Sequence, residues 1–206
     1  MSADIETFYG GSILAIASDE AVAIMNDKRL GMSSITVSKD FTRIHKIGPR
    51  LYVGLPVFVP DTQVLLRSIR KNYNLFKLEE QREMEPEELT SMISFLLYSK
   101  REAPYITSPI VAGLRSDGKP YISGMDSIGS ITSPRDFVAA GTSEENLMGI
   151  CEALYRPGMD EENLFVTCTQ AFLNSIDRDA LSGWGADCYI ISRNKVTKRP
   201  IKGRCD

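Results

Sequence analysis

The chain has 206 residues, of which 43% are hydrophobic and 25% charged, with a net charge of -3. That length carries one domain with a substantial core and is short for two. The acidic balance excludes the basic stripe of a nucleic-acid surface. No apolar run approaches the ~20 residues that span a bilayer, so neither nucleic acid nor membrane is expected as a partner.

Met1 to Phe8 is polar and acidic, unlike a secretory signal. Tyr9 to Ala17 then reads as an apolar strand opening on Gly10 and Gly11. Ser18 to Glu20 is a turn, and Ala21 to Gly31 a second strand ending in a charged Asp27-Lys28-Arg29 corner. Ser34–Val37, Arg43–Ile47 and Arg50–Leu55 are short strands separated by Lys39-Asp40 and Gly48-Pro49, which are turn chemistry. The first quarter is expected to form an antiparallel meander.

The period then changes. Asp61 caps a helix with Leu65, Ile69, Tyr73 and Phe76 on one face. A second helix starts at Glu85-Pro86-Glu87-Glu88 and buries Leu89, Met92, Ile93, Leu96 and Leu97, at i, i+3, i+4, i+7 and i+8. Strands return at Pro109–Leu114 and Tyr121–Gly124 around an Asp117-Gly118 hairpin turn, followed by Phe137–Ala140. Thr142 or Ser143 caps a third helix carrying Leu147, Ile150, Cys151 and Leu154. A fourth begins at Asp160-Glu161-Glu162 and carries Leu164, Cys168, Ala171 and Phe172. Asp187–Ser192 and Val196–Ile201 close the chain as a hairpin.

Strands in runs, with helices in pairs, predict an α+β fold: a four-layer αββα sandwich of two antiparallel sheets. Cys151, Cys168, Cys188 and Cys205 are widely spaced and read as free thiols of a reducing compartment. His45 is the single histidine and cannot supply a metal cluster, so no metal or cofactor is expected.

The Gly10-Gly11 strand, the Asp27-x-Arg29 corner and the segment Arg178-Asp179-Ala180-Leu181-Ser182-Gly183 together resemble proteasome β subunits. The likeness is closest to the non-catalytic β type-3 family, which opens Tyr-x-Gly-Gly. It runs from Tyr9 to the C-terminus and implies the N-terminal-nucleophile hydrolase fold. Residues 1–9 would be a short extension that stays attached, and 10–206 a single β-subunit domain.

In active relatives an N-terminal threonine is the nucleophile and its own amine the base. Counting back from Asp27 by the family spacing lands on Gly11, or on Gly10 with a longer hairpin, and glycine has no nucleophilic oxygen. The lysine position is Arg43, whose guanidinium cannot tune its proton affinity. The Ala-Gly oxyanion turn is replaced by Pro56 and Val57. Asp179 and Ser182 match residues that support the nucleophile's amine.

The resemblance therefore implies a non-catalytic subunit in a 28-subunit particle of α and β subunits, in cytoplasm and nucleus. There it would serve ubiquitin- and ATP-dependent breakdown of polypeptide substrates. It also implies that Asp126 and Ser130 wall the substrate pocket of a neighbouring β type-2 subunit. The alternative is self-cleavage after Gly11, exposing Ser12 as an active nucleophile. Ser12 lies one residue out of register with Asp27, and one step along a strand turns a side chain to the other face.

Overall fold

The first strand begins at Ser12 rather than at Tyr9. In the computed structural model, which describes residues 5–205, Gly10 and Gly11 have φ of +64° and +106°. Glycine enters that left-handed region without penalty, and here it turns the chain before β1 (Ser12–Ala17). β1 pairs antiparallel with β2 (Ala21–Asp27), and every residue of both strands is buried.

β2 stops at Asp27. The last residues expected in it, Leu30 and Gly31, instead open a separate hairpin of β3 (Leu30–Met32) and β4 (Ile35–Ser38), the second close to the strand expected at Ser34–Val37. β5 (Ile44–Gly48) and β6 (Leu51–Gly54) belong to a third sheet. The expected meander is thus divided among three sheets, and the side-chain pattern explains it. β1 and β2 are apolar on both faces and must lie between two layers, whereas Ile35 and Val37 of β4 are exposed.

The remaining strands are β7 (Ile110–Leu114), β8 (Pro120–Met125), β9 (Ile131–Thr132), β10 (Phe137–Gly141), β11 (Ala186–Ser192) and β12 (Val196–Ile201). The helices are α1 (Val59–Glu80), α2 (Pro86–Tyr98), α3 (Glu144–Leu154) and α4 (Glu161–Ile176). One sheet runs β10-β1-β2-β11-β12 and the other β5-β6-β7-β8-β9, with antiparallel pairing throughout.

Alternation along β1 shows how the layers are built. Leu14 and Ile16 face Leu147, Leu164 and Phe172 of α3 and α4. Ile13 and Ala15 face the other way and meet Tyr52, Ile110 and Ile122 of the second sheet. That sheet's far side, with Val53 and Val111, packs on Leu65, Ile69, Leu89 and Ile93 of α1 and α2. The fold is a four-layer αββα sandwich with three apolar layers, plus the β3–β4 hairpin at one end.

Helix starts follow their sequence signals with two exceptions. Glu85 and Glu88 close a capping box on α2, and Asp160 accepts the Asn163 N–H at 2.8 Å at the start of α4. Phe58, not Asp61, is the residue before α1. Asp61 lies inside the first turn, and its carboxylate accepts the Ile106 N–H at 2.9 Å, tying α1 to the approach to β7. Ser143 precedes α3, but its hydroxyl is turned to Asp179.

The N-terminal segment is seated on this frame. Tyr9 and Phe8 carbonyls accept the Gly31 and Ser33 N–H groups at 3.0 and 2.7 Å. Cys151, Cys168 and Cys188 are buried free thiols and Cys205 is exposed. Among the described residues no helix is long and apolar enough to cross a membrane, and no group of three or more His, Cys, Asp or Glu could hold a metal.

Candidate functional site

β2 delivers Asp27 to the end of the sandwich with its side chain fully buried. Its Oδ1 accepts the Ser12 N–H at 3.1 Å and Arg43 Nη1 at 2.9 Å. Its Oδ2 accepts the N–H groups of Arg29 and Gly183, both at 3.2 Å. Burial pushes the carboxyl up. The Arg43 charge and the three backbone N–H donors oppose that push without reversing it.

Arg43 approaches from just before β5 and is 1% exposed. Its Nη2 donates to the carbonyls of Gly10 and Arg29, at 3.0 and 2.6 Å. Burial lowers its proton affinity, Asp27 restores part of it, and the nearby Arg29 charge lowers it further. Arg29 is also buried and donates to the carbonyls of Leu181 and Ser33 and to the Thr36 hydroxyl. This second arginine, missing from the predicted site, fixes the β3–β4 hairpin to the Leu181 segment.

Gly11 and Arg43 share one volume. A methyl on Gly11 would lie 2.1 Å from Arg43 Cζ, and one on Gly10 would lie 2.3 Å from the Leu181 carbonyl oxygen. The space that a side chain at residue 11 would need is filled by a guanidinium. The arrangement holds charge and backbone together and presents no nucleophile at that position.

Ser12 faces the other way, on the same side of β1 as Leu14. Its hydroxyl lies 2.9 Å from the Ser182 hydroxyl and accepts the Ser143 N–H at 3.0 Å. Ser182 donates to Asp179 Oδ2 at 2.6 Å, which also accepts from the hydroxyls of Thr142 and Ser143 at 2.5 and 2.8 Å. The Leu181 N–H reaches Asp179 Oδ1 at 2.9 Å. Burial alone would push the Asp179 carboxyl up, but these four donors outweigh it and hold it below the usual carboxylate range. Thr142 and Ser143 read in sequence only as helix caps. In the fold both hydroxyls serve Asp179 instead, far away along the chain.

Val57 has φ of +80°, a left-handed conformation that a β-branched side chain rarely adopts. It lines a recess of about 480 Å³ with Glu6, Thr7, Asp126 and Thr142. The Thr107 hydroxyl donates to the neighbouring Pro56 carbonyl at 2.9 Å and holds this turn in place.

The description "Proteasome subunit" matches residues 7–191. The chain belongs to the proteasome subunit family. It is 46% identical over 199 residues to the proteasome subunit beta type-3 of Picea mariana, covering 97% of this chain and 98% of that one. The beta type-3-A subunit of Arabidopsis thaliana is 43% identical over the same shares. The beta type-3 subunit of Saccharomyces cerevisiae is 44% identical over 204 residues, 98% of this chain and 99% of that one.

In this proteasome subunit Asp126 and Ser130 are both exposed, on the loop between β8 and β9. Asp126 Oδ1 accepts the Ile128 and Ser130 N–H groups at 3.0 and 2.8 Å. The carboxylate therefore folds its own turn and sits at the rim of the recess that holds Val57. Ser130 stands at the far end of that turn and does not line the recess.

His45 lies on β5 across from Val53. Burial, with the Arg70 charge added, pushes its pKa down to about 4. A histidine depressed in the fold stabilises it fully above its unfolded pKa of about 6.5, and that stability is lost as pH falls towards 4. Between pH 7 and pH 5 the group should cost the fold about 1–2 kcal/mol. His45→Gln should flatten that part of the pH dependence in urea unfolding. An unchanged slope would mean that His45 is not the group that titrates.

Proposed function

We propose that this chain is a non-catalytic structural subunit of the β ring of the 20S proteasome core. One observation carries the reading: residue 11, at the head of the strand that Asp27 braces, is a glycine whose side-chain space Arg43 fills. A threonine-type mechanism needs a nucleophilic oxygen there. The subunit contributes fold and wall to a 28-subunit particle of α and β subunits, which degrades polypeptides in the ubiquitin- and ATP-dependent pathway of cytoplasm and nucleus. Residues 1–9 stay attached. The pairing of Phe8 and Tyr9 with Gly31 and Ser33 supports that part of the reading.

The purified particle tests it. Its subunit should yield an intact peptide spanning Tyr9 to Ala17 and take no label from an acylating probe of N-terminal nucleophiles. A mature chain starting at Ser12 that the probe labels would instead establish the self-cleaving serine enzyme.

The exposed Asp126 loop supports a second part of the proposal. Asp126 and Ser130 wall the pocket of the adjacent β type-2 subunit, where a carboxylate favours basic substrate side chains. Asp126→Ala should lower trypsin-like cleavage by about two- to fivefold, the scale of ~0.5–1 kcal/mol for an exposed charge. The particle's other cleavage specificities should hold. Equal trypsin-like rates in the two particles would remove this role.

A further inference from the structure

We propose that the rung joining β2 to β11 beside Asp27 is a buried hydration site, in which one water molecule bridges Asn26 and Asp187. The inter-sheet faces of both strands are apolar up to that rung. Val22 and Ile24 of β2, with Tyr189 and Ile191 of β11, pack towards the second sheet. Alternation puts Asn26 and Asp187 next on those faces. The two residues are direct partners across the strands, which sets their Cβ atoms about 4.5–5.5 Å apart. Their exposures are 0% and 1%, so both side chains are closed off from bulk solvent.

Each side chain has one polar atom in use and one left over. Asn26 Nδ2 donates to the Asp27 carbonyl at 2.5 Å and to the Phe41 carbonyl at 3.4 Å. Carbonyls only accept, so the amide cannot be turned over without setting oxygen against oxygen. Asn26 Oδ1 is therefore fixed on the other side of the amide. Asp187 Oδ2 takes the Lys198 ammonium at 2.8 Å. Among the described residues, no donor reaches hydrogen-bond distance of Asn26 Oδ1 or Asp187 Oδ1. Lys28 Nζ stands 4.0 Å from Asp187 Oδ1, outside hydrogen-bond range, and is held at 2.7 Å by Asp40.

The two leftover oxygens select the occupant. A buried acceptor without a donor carries its full desolvation cost, and two on one rung call for a shared donor. An apolar group would leave both bare. A cation would meet a carboxylate already flanked by two ammonium groups, and like charges so close repel. A water molecule brings two O–H donors, one for each oxygen, and a lone pair for the Lys28 ammonium. Three such bonds are the usual complement of a buried water. The bridge completes the rung one residue before Asp27, and so steadies the strand end that presents that carboxylate to Arg43.

A crystal structure of the protein with its waters resolved tests the site. One oxygen should lie about 2.5–3.0 Å from both Asn26 Oδ1 and Asp187 Oδ1. No density at the rung, a Lys28 ammonium swung onto Asp187 in its place, or a direct Asn26–Asp187 contact would overturn the proposal. Crystals soaked in rubidium chloride should show no anomalous signal there. A peak would make it a cation site and overturn the proposal too.

Two variants identify what holds the water. Asn26→Leu combined with Asp187→Leu removes both acceptors, and the density should disappear. A water that persists in that folded double variant is held by other groups, which overturns the bridge. Lys28→Met leaves both acceptors in place, so the water should stay. Its loss there would show that the lysine holds it rather than the pair, and would equally overturn the bridge. If the double variant does not fold, the unaltered protein and Lys28→Met still decide.

Discussion

Gly11→Thr is expected to unfold this subunit rather than to activate it. Two costs add. A β-branched residue forced to φ of +106° stores about 1–3 kcal/mol. The new Cβ would also lie 2.1 Å from Arg43 Cζ and 2.2 Å from its Nε, so the guanidinium must leave Asp27. Breaking a buried ion pair costs about 3–5 kcal/mol. The sum approaches the 5–15 kcal/mol that stabilises a whole domain. Gly11→Ala separates sterics from chemistry, since it adds the clash without a hydroxyl, and it should fail nearly as badly. Gly11→Thr combined with Arg43→Ala should be less damaged than the two single costs predict, because the arginine no longer contests the space. Urea unfolding of the unaltered chain, Gly11→Thr, Gly11→Ala, Arg43→Ala and the double variant measures this. A stable Gly11→Thr single variant would show that Arg43 does not close the site.

The closure at Gly11 also marks how far the sequence can be read. The helix stripes, such as Leu89, Ile93 and Leu97, were legible because a period of 3.6 residues is a local signal. So was Asp27, an acid ending a strand whose first five residues, Ala21 to Met25, are all apolar. Gly10 and Gly11 were legible as missing side chains, but not as residues with positive φ, because nothing in their neighbours demands a turn there. That Arg43 fills the place of a side chain on Gly11 was out of reach, because it depends on how β5 is laid against β1. The meander failed for a related reason. Local alternation identifies strands, but only burial on both faces separates β1 and β2 from the exposed β3–β4 hairpin. β9, two residues long, offers no period at all.

Asp27 and Arg43 should prove unequal partners. Asp27→Asn keeps the shape and reverses one of two acceptors. Either the Ser12 N–H and Arg43 Nη1, or the Arg29 and Gly183 N–H groups, would then face an amide NH₂. It also leaves the Arg43 guanidinium buried without its counter-charge, and that group cannot shed its proton. The expected cost is about 3–5 kcal/mol at any pH between 5 and 8. Arg43→Met leaves a buried carboxylate that retains three backbone donors and can take up a proton. Burial already pushes Asp27 up with the arginine present. Without it the carboxyl rises further, and the folded state holds a proton that the unfolded state gives up near pH 4. A carboxyl raised in this way stabilises the fold below its unfolded pKa and loses that stability as pH rises through the folded value. Arg43→Met should therefore be more stable at pH 5 than at pH 8 relative to the unaltered protein, and Asp27→Asn should show no such recovery. The double variant removes both buried charges and should cost less than the two singles combined, with a coupling of about 2 kcal/mol or more. If the two single variants respond alike to pH, Asp27 is not carrying the proton and the pair is held by hydrogen-bond geometry alone.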